Sequence, residues 1–185
     1  MTAVDDRITG IFENLEVPDG FKAELLRGEI VMMAGPDRIH NWIVEAIQDQ
    51  IPRARWHRGT TQDIAIPSAV SEPQPDLAVY ERGVVEGPGR LIPASKMTLV
   101  VEVVSKTSVD RDYRTKRHLY AEGAIPAYLI VDPIKGVCVL LTEPRLDAPG
   151  GTPDYVAERV GKFGDLLRVA ALDLTLDTSE FQTYS

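Results

Sequence analysis

The chain has 185 residues, of which 44% are hydrophobic and 26% charged, a balance that suits a globular protein with one core. Its net charge of −8 argues against a protein that coats nucleic acid through a basic surface. The apolar runs are too short to span a membrane, and a single cysteine excludes an internal disulfide. We therefore expect one cytoplasmic domain over residues 1–185, with an N-terminal helix and loop over 1–20 and no contact with a membrane.

The first predicted elements are a β-hairpin and an amphipathic helix. In "FKAELLRGEIVMMAGP", Arg27 and Gly28 separate two strand-like runs, and glycine at the second position suits a primed turn. In "PDRIHNWIVEAIQDQIP" apolar residues recur at helical spacing, and Asp37 can cap the start of the helix. The same spacing places Trp42 in the core.

The rest of the chain alternates strands with one polar helix. Strands are predicted in "TQDIAIP" and "PDLAVY", and "ERGVVEGPGRLIPASK" is expected to be a surface loop. The continuous apolar run "MTLVVEVV" is typical of a central strand. "SVDRDYRTKRHLYAEG" predicts a helix with Ser108 as its N-cap and Gly123 at its end, and further strands follow to "LDLTL". The fold class is α/β (α+β), with a mixed central sheet flanked by helices.

The residue that fits a core least well is Glu102, in the middle of "LVVEVV". An unpaired buried charge costs several kcal/mol, so such a residue usually has a partner, a metal or a task. Asp76 lies at the start of the predicted strand "PDLAVY", which comes before Glu102 in the chain. If the two strands are neighbours, both carboxylates can converge on one Mg²⁺ or Mn²⁺ ion, with the backbone carbonyl of Val103 as a third ligand. The alternatives are a turn-forming Asp76 and a Glu102 that pairs with an arginine.

The polar helix supplies candidate cations. Asp112, Lys116 and Tyr120 are spaced i, i+4 and i+8 along one face, so Asp112 can hold the Lys116 ammonium in position. A lysine beside a metal ion can position or deprotonate a water and stabilise charge on a phosphate. The alternative is a solvated helix lysine. Three arginines of this helix are candidate contacts for a phosphate backbone: Arg111, Arg114 and Arg117.

Several quoted segments together carry a resemblance to a known family. They are "AELLRGEIVMMAGP", "RIH", "PQPDLAVY", "LVVEVVSKTSVDRDYRTKRHLYAEGAIPAYLIVDP" and "GDLLRVAALDLTL", in this order. The sequence resembles the Uma2 family of the PD-(D/E)XK nuclease superfamily. The resemblance implies a restriction-endonuclease-like core with one or two divalent ions at Asp76 and Glu102. The lysine that usually follows the glutamate by two residues is Val104 here, and the resemblance favours Lys116, over Arg117, as its replacement.

The resemblance also draws attention to Glu24 and His40, which match recurrent positions of the family. From the residues alone, Glu24 suits a hairpin surface charge and His40 a hydrogen-bonded histidine near a helix N-terminus. We group both with Asp112 and Tyr120 as side chains that support the proposed ligands.

The leading hypothesis is a metal-dependent endonuclease that hydrolyses phosphodiester bonds of DNA, and a homodimer is expected because nucleases that cut both strands often pair. The alternative is an inactive nuclease-fold module that binds nucleic acid or a protein, and the sequence does not separate either from a hydrolase of small phosphate esters. We expect Asp76, Glu102 and Lys116 to cluster around a cleft. At least one of the two carboxyl groups should have a raised pKa unless Lys116 offsets it.

Overall fold

A computed structural model describes residues 3–148 and 150–184, so the first two residues of the expected N-terminal helix lie outside the described part. The described α-helices are α1 (Ala3–Glu13), α2 (Arg38–Gln50) and α3 (Lys116–Glu122). The described strands are β1 (Phe21–Leu26), β2 (Glu29–Ala34), β3 (Trp56–Gly59), β4 (Asp63–Ala65), β5 (Leu77–Glu81), β6 (Leu91–Pro93), β7 (Leu99–Val103), β8 (Ala127–Asp132), β9 (Val137–Arg145), β10 (Asp154–Lys162), β11 (Leu166–Val169) and β12 (Leu174–Asp177).

Six strands form the central sheet, in the order β10–β9–β8–β7–β5–β3. The β7–β8 pair is parallel and the other pairs are antiparallel, so the sheet is mixed and the predicted α+β class is confirmed. β7 has a neighbour on each side and all five of its residues are buried. The prediction of a central strand from an uninterrupted apolar run is therefore correct.

The two faces of the sheet carry two separate apolar clusters, and this division determines where Glu102 points. Val101 and Val103 pack on the same side as α2, whereas Val100 and Val104 pack on the same side as α3. Since successive side chains of a strand point to opposite faces, Glu102 shares the α3 face. Its carboxylate is thereby directed toward the helix that carries Lys116.

The hairpin and α2 form largely as expected. Arg27 and Gly28 both have positive φ, 51° and 77°, as a primed two-residue turn requires. The Asp37 side chain accepts a hydrogen bond from the His40 backbone N–H at 3.0 Å and caps α2. The prediction that Trp42 is in the core is wrong: it is 47% exposed, because the buried face of α2 runs through His40 and the positions one turn further on.

Two other local predictions need correction. The expected loop after β5 contains β6, which pairs in parallel with β4. Ser108 occupies the predicted N-cap position, since its carbonyl accepts a hydrogen bond from the Asp112 N–H at 2.9 Å, but its Oγ accepts from the Ser105 N–H at 2.9 Å and donates to the Asp112 carboxylate instead of capping the helix. A π-helical turn, Arg111–Thr115, precedes α3, and Gly123 ends α3 as expected. No helix in the described part of the chain has the length and apolar character that crossing a membrane requires.

Candidate active site

A cavity of about 390 Å³ opens between the β1–β2 hairpin, the start of α2, the end of β7 and the polar helix. Its wall includes Asp76, Glu102, Val103 and Lys116. The expected clustering of the two carboxylates and the lysine around one cleft is therefore confirmed in space. Their chemical roles are a separate question, which depends on the environment of each group.

Asp76 lies just before β5 and is held by three donors. Its Oδ2 accepts hydrogen bonds from His40 Nε2 at 2.9 Å and from the Val103 N–H at 2.8 Å, and its Oδ1 lies 3.2 Å from Lys22 Nζ. Burial alone would raise the pKa of Asp76. The hydrogen bond from His40 and the positive charge of Lys22 outweigh burial and hold this pKa well below its usual range. Asp76 is therefore a carboxylate at neutral pH.

The environment of Glu102 shifts its pKa upward, opposite to the shift of Asp76. Its Oε1 accepts a hydrogen bond from Lys116 Nζ at 2.7 Å and another from the Tyr120 hydroxyl at 2.5 Å. Burial raises the pKa of Glu102 to about 8 despite the nearby Lys116 charge, and the negative charge of Asp76 adds to the shift. One of the two proposed metal ligands thus has a raised pKa, as expected.

Lys116 is 1% exposed, and its ammonium lies between two carboxylates. Nζ is 2.7 Å from Glu102 Oε1 and 3.0 Å from Glu24 Oε1. Burial alone would lower the pKa of Lys116, but the charges of Glu102 and Glu24 raise it well above its usual range. The ammonium can therefore donate hydrogen bonds but is not suited to removing a proton from a water.

The predicted pairing of Lys116 with Asp112 is wrong. Within the described chain, the ion pairs of this ammonium are to Glu24 and Glu102, and the Asp112 carboxylate instead accepts the Ser108 hydroxyl. The π-helical turn explains the difference. The Lys116 N–H bonds to the carbonyl of Arg111, five residues earlier, so the i, i+4 geometry of a regular α-helix does not hold here.

Glu24 is fully buried, so its interpretation as a surface charge is wrong. Its Oε1 accepts hydrogen bonds from Lys116 Nζ and from the Gln74 N–H at 2.9 Å. Its Oε2 is buried without a hydrogen-bond partner among the described residues. Only the family resemblance pointed to this residue, because β1 lacks a period-2 pattern that would mark Glu24 as inward-facing.

The remaining predicted supporting residues also lie at the site. Tyr120 donates its hydroxyl proton to Glu102. Asp112 lines the cavity, and burial raises its pKa to about 6. His40 borders the cavity with an Nδ1 that is buried and has no partner within residues 3–148 and 150–184. Because Nε2 contacts the Asp76 carboxylate, Nε2 carries the proton in the neutral imidazole.

The three candidate arginines separate in the structure. Arg111 lines the cavity, and its Nε is buried with no acceptor in the described part of the chain. Arg114 is 78% exposed at its side chain and pairs with Asp110. Arg117 is held by two carboxylates of β10, at 2.6 and 2.9 Å, and is not among the described residues that line the cavity. Only Arg111 is therefore placed to contact a ligand at this site.

Lys22 and Tyr184 also line the cavity and were missed by the sequence analysis. A lysine in a hairpin strand and a tyrosine near the end of the chain are both ordinary surface residues by pattern. Lys22 joins the site through a contact with Asp76, 54 residues later in the chain. The pattern of neighbouring residues in the sequence does not predict a contact between segments this far apart.

The donor atoms at the cavity suit a hard cation. No group of three or more His, Cys, Asp or Glu side chains within residues 3–148 and 150–184 is arranged to hold a metal. The candidate set is smaller: the carboxylates of Asp76 and Glu102 and the carbonyl of Val103, all at one cavity. Mg²⁺ and Mn²⁺ take oxygen ligands, and Mg²⁺ commonly keeps several waters with one or two carboxylates. The residues present fit an ion of this kind.

Comparison with known proteins agrees with this description. No curated protein matches the sequence. A crystal structure described as a "putative nuclease belonging to DUF820" from Anabaena variabilis superposes with a TM-score of 0.70 over 92% of this chain and 94% of that one, at 15% identity. At this identity the similarity shows a shared fold. The model of the Uma2 family, described as "Putative restriction endonuclease", matches residues 11–179, and the chain therefore belongs to the Uma2 family.

Proposed function

We propose that the protein is a metal-dependent endonuclease that hydrolyses phosphodiester bonds of DNA. Membership in a family described as restriction endonucleases supports a nuclease in general terms. The observation that carries the proposal is the meeting of Asp76, Glu102 and a buried, charged Lys116 at one cavity. In this proposal Asp76, Glu102 and the carbonyl of Val103 hold Mg²⁺ or Mn²⁺.

In this proposal, Asp76, Glu102 and Lys116 each have a different role in catalysis. When bound, a divalent cation supplies a Lewis acid for the phosphate and lowers the pKa of a bound water. Asp76 is an ionised ligand throughout the neutral range, and His40 fixes its orientation through the 2.9 Å contact. Glu102 releases a proton before it can serve as an ionised ligand, because its pKa is raised. Lys116 pairs with Glu102 once that carboxyl group is ionised, and it places a positive charge where charge develops on the phosphate.

Arg111 is the proposed contact to the phosphate backbone. Its unpartnered Nε at the cavity wall is a donor that a phosphate oxygen would satisfy. An acidic protein with a local cation of this kind binds nucleic acid through a few directed contacts rather than through its overall charge.

One observation favours a second candidate function, a nuclease-fold module that binds nucleic acid or a protein without cleaving. Both carboxylates already have donors from the chain, and no third acidic ligand joins them in the described residues. In such a site the chain itself already supplies hydrogen-bond donors to both carboxyl groups. The same experiment separates the two functions.

The test is cleavage of supercoiled plasmid and of labelled DNA and RNA oligonucleotides with Mg²⁺, Mn²⁺ or EDTA. The parent protein is compared with Glu102→Gln, Asp76→Asn and a control, Asp110→Asn, in which an exposed carboxylate is neutralised. We expect metal-dependent DNA cleavage that falls at least ~100-fold in the two site variants and is retained in the control, because removing an electrostatic group typically costs about that much. Binding that is unaffected by EDTA, without cleavage, would favour the module.

A further inference from the structure

Lys22 places its ammonium among oxygen atoms at the edge of the site. Nζ lies 3.2 Å from Asp76 Oδ1, 3.3 Å from the carbonyl oxygen of Gln74 and 3.9 Å from Glu24 Oε1. The side chain is 25% exposed and lines the cavity. Two carboxylates and a backbone carbonyl are also the kind of ligands that a hard metal ion takes.

The two oxygens of Asp76 differ in what they contact. Oδ2 already accepts hydrogen bonds from His40 and from the Val103 N–H. Among the contacts of the described residues, Oδ1 faces only Lys22. A divalent ion bound by Asp76 would therefore use Oδ1, and it would meet the ammonium there at a distance where like charges repel strongly.

We propose that Lys22 is the resident cation of the metal-free site and that its ammonium is displaced from Asp76 Oδ1 when Mg²⁺ or Mn²⁺ binds. This inference rests on the proposed metal-binding function and adds a residue that sets metal affinity. Lys22 stabilises the ionised Asp76 in the metal-free protein, and the same contact weakens the binding of the ion.

The structure provides space for the displaced side chain. Lys22 also lines a second cavity of about 320 Å³, whose wall includes Glu13 and the ion pair of Asp63 with Arg90. A lysine carries its charge on a flexible four-carbon chain, so the ammonium can move without a shift of the β1 backbone. This second cavity gives the moved ammonium room beside the Glu13 carboxylate, while Asp63 is paired with Arg90.

The experiment measures Mn²⁺ and Mg²⁺ affinity by calorimetry, without substrate, for the parent, Lys22→Met and Lys22→Gln. Lys106→Met is the matched control, because Lys106 lines the same cavity yet has no described ion pair with its carboxylates. We expect both Lys22 variants to bind Mn²⁺ at least tenfold more tightly than the parent. The control should change the affinity less than threefold. In the parent, the NMR resonance of the Lys22 Cε group should shift on saturation with Mg²⁺.

The outcomes separate this inference from the proposed function. Metal binding by the parent with equal or weaker binding by the Lys22 variants would overturn the role of Lys22 and leave the proposed function standing. An equal gain in Lys106→Met would also overturn it, since general electrostatics would then suffice. Binding by the Lys22 variants but not by the parent would support the inference. Absence of binding in all proteins would overturn both, and the NMR shift decides the matter if neither Lys22 variant folds.

Discussion

Replacing Lys116 with methionine tests the arrangement at the centre of the site. The substitution keeps a similar length and removes the ammonium that lies 2.7 Å from Glu102 and 3.0 Å from Glu24. The two carboxylate oxygens are then no farther apart than the sum of these distances, and both groups are buried. Breaking a buried ion pair by removing one partner costs about 3–5 kcal/mol, because an uncompensated charge stays behind.

The size of this effect should depend on pH in a definite direction. A carboxyl group with a raised pKa contributes stability below its unfolded pKa and loses it as the pH rises through its folded pKa. The folded pKa of Glu102 is about 8 in the parent, and without Lys116 it is higher still. At pH 6 the group is protonated in both proteins. At pH 9 it is ionised and paired in the parent, whereas the variant must either hold an unpaired charge or keep the proton.

Urea unfolding at pH 6 and pH 9 measures the difference. We expect Lys116→Met to lower the free energy of unfolding by about 3–5 kcal/mol at pH 9. At pH 6 the loss should be smaller than the loss at pH 9 by at least about 1 kcal/mol. The control is Arg114→Met, which removes a cation whose side chain is 78% exposed and lies 3.4 Å from Asp110, itself 77% exposed. A solvated pair of this kind contributes about 0–1 kcal/mol. A loss for Lys116→Met that is under about 1 kcal/mol at pH 9, or the same at both pH values, would refute the reasoning.

Three further predictions concern the two carboxylates. Glu102→Gln should leave the metal-free protein equally or more stable at pH 9, because it removes a group whose pKa is raised. The same substitution should abolish the Mn²⁺-induced stabilisation, which is expected to be about 2.7 kcal/mol at a hundredfold excess over Kd. Thermal melts with and without Mn²⁺ measure both effects. As the pH rises toward 8, Mn²⁺ binding should tighten by up to about tenfold per pH unit, since Glu102 must release its proton. Calorimetry in buffers of different ionisation enthalpy would count that proton. His40→Asn should cost about 1–3 kcal/mol at pH 7 through the lost hydrogen bond to Asp76. Since Asp76 has a lowered pKa, its contribution is fully present above its unfolded pKa of 3.8 and is lost as the pH falls through its folded pKa, so the difference in urea unfolding should shrink along a series of pH values taken downward from 3.8.

The parts of the site that could be predicted from the sequence are those with a local energetic signature. Glu102 interrupts an apolar run, and the cost of a buried charge made it conspicuous without any structure. Alternation along β7 then placed it on one face of the sheet. The primed turn at Arg27 and Gly28 was equally local, because few residues tolerate positive φ. These features follow from neighbours within a few positions of the chain.

The features that were missed depend on contacts between distant segments. Glu24 meets Lys116 across 92 residues, and no pattern in β1 distinguishes it from a solvated glutamate. The Asp112–Lys116 pairing failed for a different reason. It assumed a regular α-helix, and the π-helical turn changed which side chains share a face. Helical spacing also placed Trp42 in the core, although the buried stripe of α2 runs beside it.

The balance of charge at the site explains why its groups are shifted in opposite directions. Four carboxyl groups, Glu24, Asp76, Glu102 and Asp112, are arranged around two ammonium groups, Lys22 and Lys116. With every group ionised, and with the Arg111 guanidinium at the same cavity counted, this cluster carries a surplus of one negative charge. The raised pKa values of Glu102 and Asp112 follow first from burial, and the negative charge of Asp76 adds to both shifts. Protonation can relieve the surplus, but it also removes the ligand character of Glu102. A divalent cation relieves it while both carboxylates stay ionised. We infer that the cluster, in which ionised Glu102 lowers the stability of the metal-free fold, is for that reason suited to a cation that Asp76 and Glu102 can bind together.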